Sequence, residues 1–205
     1  MHTNSACLIL REITLDDVEH IYALDSLPEN ARYQTWPPRT RDEAENFVHE
    51  NIHSATESPR AFVEQAVLIP MSSSDEDMPP AFVGRVGAHI DAGARTAELW
   101  FSFMPSAQGR GYATEAVTAL IEMLRAERDA ERAPHFNRLL IECDPRNTRS
   151  SRLAERAGFV MESCTENAFK CKGEWVGSMV YVREVDLAAT KAVWHQNVSV
   201  GGIAV

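Results

Sequence analysis

Apolar and polar residues alternate along the chain with a period that switches repeatedly between strand-like and helix-like. Leu8 to Ile13 reads as a short strand. Thr14, followed by Asp16 and Asp17, caps a predicted helix running to about Leu27, with Val18, Ile21, Tyr22 and Leu24 on its inner face. Pro28 to Arg39 has no period. A second helix is predicted from Thr40 to near Pro59, where Glu43 completes a capping box and Ala44, Phe47, Val48, Ile52 and Ala55 share one side. Ala61 to Ile69, Ala81 to Asp91 and Ala94 to Phe103 then read as an antiparallel meander, with a loop at Met71 to Pro80 and a tight turn at Ala92 and Gly93. The period becomes helical from Gly111 to about Ala130, along a stripe of Ala113, Ala116, Val117, Leu120, Ile121 and Leu124. Arg138 to Asp144 is a predicted buried strand, and Asn147 to Ala157 a shorter helix ended by Gly158. Strands at Phe159 to Phe169 and Trp175 to Val185 complete the set. The pattern predicts an α/β fold in one domain spanning 1–205, with a core at about 8–186 and an extension over 187–205.

Composition narrows the function classes. The chain has 205 residues, 44% hydrophobic and 24% charged, which suits one ordinary core. Its 20 basic and 30 acidic side chains give a formal net charge of −10, so a surface that neutralises nucleic-acid phosphates is not expected. The same field favours cationic small molecules or basic peptides, with Glu29, Glu43, Glu45 and Asp75 as candidate acids to attract them. Cys7, Cys143, Cys164 and Cys171 form no CxxC pair and read as free thiols, a Cys164–Cys171 hairpin disulfide being the alternative. No apolar stretch approaches the ~18 residues that span a bilayer, and Arg11 and Glu12 interrupt the N-terminal region where a signal peptide needs apolar residues. A cytoplasmic protein without a membrane partner, monomeric or homodimeric, is the expectation.

The main chemical signal is Gln108-Gly109-Arg110-Gly111-Tyr112-Ala113-Thr114, which follows a strand and opens the long helix. Glycines let backbone N–H groups approach an anion, the helix N-terminus attracts pyrophosphate, and Arg110 adds a charge. The spacing fits neither a Walker loop nor the GxGxxG of dinucleotide folds. A competing motif, His49-Glu50-Asn51-Ile52-His53, matches the HExxH of zinc hydrolases. Both histidines and Glu50 lie opposite the helix's apolar side, however, and no third ligand is apparent, so no metal is expected.

Gln108, Gly111 and Ala113 match the Q/R-x-x-G-x-G/A signature of the GNAT superfamily of acyl-CoA-dependent N-acyltransferases, which this chain resembles over about residues 8 to 185. Asp144-Pro145-Arg146-Asn147-Thr148-Arg149-Ser150 through Arg156-Ala157-Gly158-Phe159 is similar to the N-x-x-S…G-F segment of the branch that acetylates ribosomal-protein N-termini. The resemblance implies a mixed, mostly antiparallel sheet of about seven strands flanked by helices, whose fourth and fifth strands (here Ala94 to Phe103 and Arg138 to Asp144) splay to admit the pantetheine arm. It implies acetyl transfer from acetyl-CoA, without metal, to a primary amine of a protein N-terminus or a small molecule, by direct attack in a ternary complex. Phe103, Met104, the loop from Gln108 to Thr114 and Asn147 would hold the cofactor, a backbone N–H near Phe101 to Met104 receiving the thioester oxygen. Ser150 is then the hydroxyl candidate for the departing thiolate. The tyrosine that many relatives use as acid is replaced here by Ala154, and the sixth-strand glutamate of the serine-bearing branch falls at Phe169, with Glu166 out of register. Glu98, at the start of a strand expected to be bulged, and Glu142 are the remaining candidate bases. Tyr33, Trp36 and Trp175 fall in segments that border the acceptor. An acyl-CoA-binding domain without turnover is the alternative reading.

Overall fold

The computed structural model describes residues 2–4, 7–70 and 80–185. One eight-stranded sheet runs in the order β1-β2-β3-β4-β5-β6-β8-β7, built from β1 (His2–Asn4), β2 (Ile9–Glu12), β3 (Phe62–Ile69), β4 (Ala81–Asp91), β5 (Thr96–Phe103), β6 (Arg138–Cys143), β7 (Val160–Cys171) and β8 (Glu174–Glu184). Neighbouring strands are antiparallel except β5 and β6. The mixed, mostly antiparallel sheet of about seven strands is as expected, with one short strand more, β1, which pairs with β2 at His2↔Arg11. Three polar residues are too few to show a strand period.

The alternation along the strands sorts their side chains into two cores. Helix α4 (Tyr112–Asp129) presents Ala116, Val117, Leu120, Ile121 and Leu124 to one face, against Val63, Val67, Val86, Leu99 and Leu139. On the other face α1 (Val18–Asp25) and α3 (Arg41–Ser54) bury Val18, Ile21, Ala44, Phe47 and Val48 against Ala66 and Leu68. The capping box at Thr40 and Glu43 forms as expected. That at Thr14 closes instead onto Asp17 and a 3-10 turn, Leu15–Asp17, so α1 starts at Val18 and ends at Asp25, before Leu27. A short helix α2 (Pro28–Ala31), started by its proline, occupies part of the segment without a period. Helix α5 (Thr148–Arg156) stops at Gly158, whose φ of +81° is the left-handed conformation expected there.

The turn after β4 extends over four residues, with Arg95 at φ +58°, so β5 begins at Thr96. β5 is not the bulged strand. Register shifts occur between Val67 and Leu68 on β3 and along β7, while β4 and β5 pair without interruption from Gly84↔Phe103 to Asp91↔Thr96. All four cysteines are free. Cys164 and Cys171 lie seven positions apart on the single strand β7 rather than facing across a hairpin, about 23 Å at ~3.3 Å per residue, well beyond disulfide reach. The expected loop at Met71 to Pro80, apart from Pro80, and the extension over 187–205 fall outside the described residues.

Candidate active site

Parallel pairing between β5 and β6 stops after three positions, Thr96↔Arg138, Ala97↔Leu139 and Glu98↔Leu140. Beyond them both strands continue but diverge, as expected for a sheet opened to admit an extended arm. β6 remains paired with β8 along its whole length, so only its β5-facing edge opens. The Met104 N–H donates to the Val83 carbonyl at 2.9 Å, which removes it as a free oxyanion donor. Strand alternation then turns the backbone groups of Phe101 and Phe103 toward the gap. The Phe103 carbonyl accepts from Gln108 Nε2 at 3.1 Å, tying the cofactor loop to the end of β5.

In that loop Gly109 and Gly111 have φ of +76° and +86°, and a Cβ built on either would meet nothing within 4 Å. Backbone strain therefore demands these glycines, and the space beside them is free for a ligand. Gly111 is the N-cap of α4, so the positive end of the longest helix faces outward beside exposed Arg110. Helix α5 braces the loop, since Arg149 Nη1 donates to Gln108 Oε1 at 2.5 Å and Arg156 Nε to Thr114 Oγ1 at 3.3 Å. Tyr112 and Ala113 form the partly buried first turn of α4.

On the opposite face of the gap lies a cleft of about 570 Å³ that brings together Tyr33, Trp36, Glu98, Glu142, Asn147 and Ser150. Asn147 caps α5, its Oδ1 accepting from the Ser150 N–H at 3.3 Å. This leaves the Ser150 hydroxyl at the cleft. Glu98 and Glu142 lie close enough for their charges to oppose each other. Partial desolvation, reinforced by Glu142, holds the Glu98 carboxyl above the usual carboxylate range. Glu142 accepts from the Ser178 hydroxyl.

Other expected features fall elsewhere. Trp175 is 58% exposed, paired with Lys170 near the β7–β8 turn, and does not line the cleft. The same holds for Glu166 on exposed β7. Glu43 caps α3 and Glu45 pairs with Arg41, so neither these two nor Glu29 reaches the cleft, while Asp75 lies outside the described residues. His49, Glu50 and His53 are exposed on α3. Ala154 is fully buried, packed where the tyrosine of other relatives would stand.

Sequence reasoning missed a charge network beneath the cleft. Fully buried Glu64 and Asp25 are bridged by Arg85, whose Nη1 is 2.8 Å from Glu64 Oε1 and Nη2 3.2 Å from Asp25 Oδ2. Arg39 Nε lies 3.3 Å from the same Asp25 oxygen, with the guanidinium 4.5 Å from the Phe47 ring centre and 5.0 Å from that of Trp36. Trp100 Nε1 donates to Glu64 Oε2 at 2.6 Å. The available signal was the acid and the arginine interrupting the apolar runs of β3 and β4.

The family model for the acetyltransferase (GNAT) domain matches residues 8–160. The chain is 25% identical over 181 residues to the uncharacterized N-acetyltransferase YnaD of Bacillus subtilis, covering 88% of this chain and 95% of the relative. Its fold is similar to that of a GNAT-family acetyltransferase from Bacillus anthracis (TM-score 0.74, 22% identity, 90% of this chain and 98% of that one). It is also similar to that of RimL, a ribosomal L7/L12 α-N-protein acetyltransferase in complex with coenzyme A (TM-score 0.73, 20% identity, 91% and 99%). With a strand gap that admits an extended arm, a glycine loop that opens a helix, and a family match across three quarters of its length, the chain belongs to the GNAT acetyltransferases, enzymes that move an acetyl group from acetyl-CoA to an amine.

Proposed function

We propose that the amine acceptor occupies the cleft on the α1/α3 side of the β5–β6 gap and attacks acetyl-CoA directly in a ternary complex. The observation that carries this reading is the end of β5–β6 pairing at Glu98↔Leu140 beside a cleft lined by Glu98, Glu142 and Ser150. The loop from Gln108 to Thr114 holds the pyrophosphate, and the gap-facing backbone of Phe101 and Phe103, with Met104 behind it, holds the arm. A carboxylate at Glu98, assisted by Glu142, accepts a proton from the ammonium, directly or through water. The freed amine adds to the thioester carbon, the C–S bond breaks, the thiolate takes the proton of the Ser150 hydroxyl, and the Ser150 oxygen is reprotonated by the proton that the new amide nitrogen gives up, directly or through water. Asn147 fixes the turn that presents Ser150, and Tyr33 and Trp36 wall the acceptor.

The acceptor is an N-terminal or small-molecule primary amine. RimL, which carries the same fold, is named for a protein N-terminus. A cytoplasmic setting agrees with four free cysteines and with the lack, among the described residues, of any helix long and apolar enough to cross a membrane. Thiol release from acetyl-CoA, measured across alkylamines, polyamines, amino sugars and N-terminal peptides, tests the reading. Release above the hydrolytic background with at least one amine is expected. Acetyl-CoA binding without release on any amine would favour an acyl-CoA-binding domain.

A further inference from the structure

The network under the cleft is poorly explained by stability alone. Burying Glu64, Arg85 and Asp25 costs desolvation that apolar residues of similar size would avoid. Its end nearest the β5–β6 gap is Trp100, two positions past the last β5–β6 pair, half-buried and lining the cleft. The indole lies over Gly87 on β4. A Cβ there would fall 2.4 Å from Trp100 Nε1 and 2.5 Å from Glu64 Oε2, so only glycine lets the ring lie across the strand, and the Phe62 ring packs beside it at 5.0 Å between centres with a 35° tilt. Both Glu64 oxygens accept from donors, Oε1 from Arg85 and Oε2 from the indole, the arrangement of an ionised carboxylate, and these contacts oppose the burial that pushes its carboxyl up.

We propose that the face of Trp100 is the seat of the acceptor's ammonium group and that Glu64 is the positioning residue which fixes the ring. This rests on the cleft being the acceptor site. Tryptophan is the best side chain for holding a cation over its face, and an N–H bonded to an anion makes the ring more electron-rich. The charges around it agree. Among the described residues no cation pairs with Glu98 or Glu142. Arg39 and Arg85 are held by Asp25 and Glu64, Arg146 by Asp144 and Glu174, and Lys172 by the carbonyls of Ala31 and Arg32, while exposed Arg32, which also lines the cleft, lies over the Tyr33 ring at 5.1 Å. Across β4 the titratable neighbour of Glu98 is His89.

Calorimetry and tryptophan fluorescence on the full chain saturated with CoA, titrated with n-butylamine or n-butanol at neutral pH, test the seat. Butylammonium is expected to bind and change the fluorescence, with butanol at least about tenfold weaker. Trp100→Phe should reduce the fluorescence change, Trp36 in the same cleft supplying what remains, and weaken butylammonium by about threefold to tenfold, since phenylalanine is a poorer cation–π partner than tryptophan. Glu64→Gln, which can still accept the indole N–H, should give a smaller loss. If it fails to fold, Trp100→Phe, on a half-exposed side chain, decides alone. Equal binding by Trp100→Phe, butanol matching butylamine, or no butylammonium binding at all would overturn the seat. Binding that depends on Trp100 in a protein that acetylates no amine would keep the seat and sink the transferase reading.

Discussion

In the proposed mechanism Ser150 and Glu98 divide the proton work, and each role has a signature that a structural role lacks. General acid assistance is typically worth ~10² to 10⁴ in rate. Ser150→Ala is therefore expected to lower turnover at least about tenfold with acetyl-CoA affinity nearly unchanged, the pattern of a contact made in the transition state. The Ser150 backbone, not its hydroxyl, bonds the Asn147 cap, so the melting temperature should hardly move. Unchanged turnover would pass the proton to water. Glu98 carries the pH dependence. Its carboxyl is raised by desolvation and by Glu142, so the ionised form that accepts a proton is lost as pH falls through a value above the ordinary range. Glu98→Gln should remove that acidic limb from the kcat/KM profile. The sign for stability is opposite: a carboxyl raised in the folded state favours folding when protonated and weakens it once ionised. Glu98→Gln should then melt no lower than the parent at neutral pH. A lower melting point and an unshifted limb would make Glu98 a structural residue.

At the scale of elements, glycines mark where backbone geometry and ligand meet. Gly111 sits at φ +86° with open space around its missing side chain, so Gly111→Ala meets no clash and costs only the left-handed backbone, about 1 to 2 kcal/mol. Its unfolding free energy should fall by that amount, and acetyl-CoA affinity should also fall because the N–H groups at the start of α4 lose their direction. Full affinity in this variant would dismiss the loop as the pyrophosphate site. Gly87→Ala is different, because its Cβ would overlap Trp100 and Glu64. The acceptor KM should rise while acetyl-CoA binding is retained. These two glycines also show what the sequence made legible. Gly111 was readable because local order carries it: strand, glycine pair, then a helical stripe. So was the capping box at Thr40, formed by neighbours in sequence. Gly87, Glu64 and Trp100 come together only across β3, β4 and β5, and nothing local sets that register. Trp175 failed for the same reason: its distance from the cleft depends on how far the β7–β8 hairpin runs, and β7 continues past Phe169 to Cys171.

Over the whole molecule, the net charge of −10 opposes an anionic substrate and favours a cationic one, unless local charges override it. Acetyl-CoA is an anion approaching an acidic protein, yet the loop that receives it carries Arg110 and is braced by Arg149 and Arg156 from α5. The acceptor side presents Glu98 and Glu142 at the strand gap. Local positive charge at the donor loop, and the carboxylates of Glu98 and Glu142 at the gap within a cleft lined by equal numbers of acidic and basic side chains, would draw an anionic donor and a cationic acceptor to different mouths, raising both encounter rates. Acetyl-CoA bound at ~100 times its dissociation constant should stabilise the fold by roughly 2.7 kcal/mol, and a thermal shift checks this first. Salt then separates the two fields, because the screening length drops from ~10 Å at 0.1 M to ~3 Å at 1 M. Apparent second-order rates for acetyl-CoA and for the amine should both fall as salt rises. Replacing Arg149 and Arg156 together by Gln should flatten the dependence for acetyl-CoA and leave that for the amine. A net charge acting as a single field would instead make added salt speed the anion and slow the cation, and steady-state rates for both substrates along one salt series distinguish these outcomes.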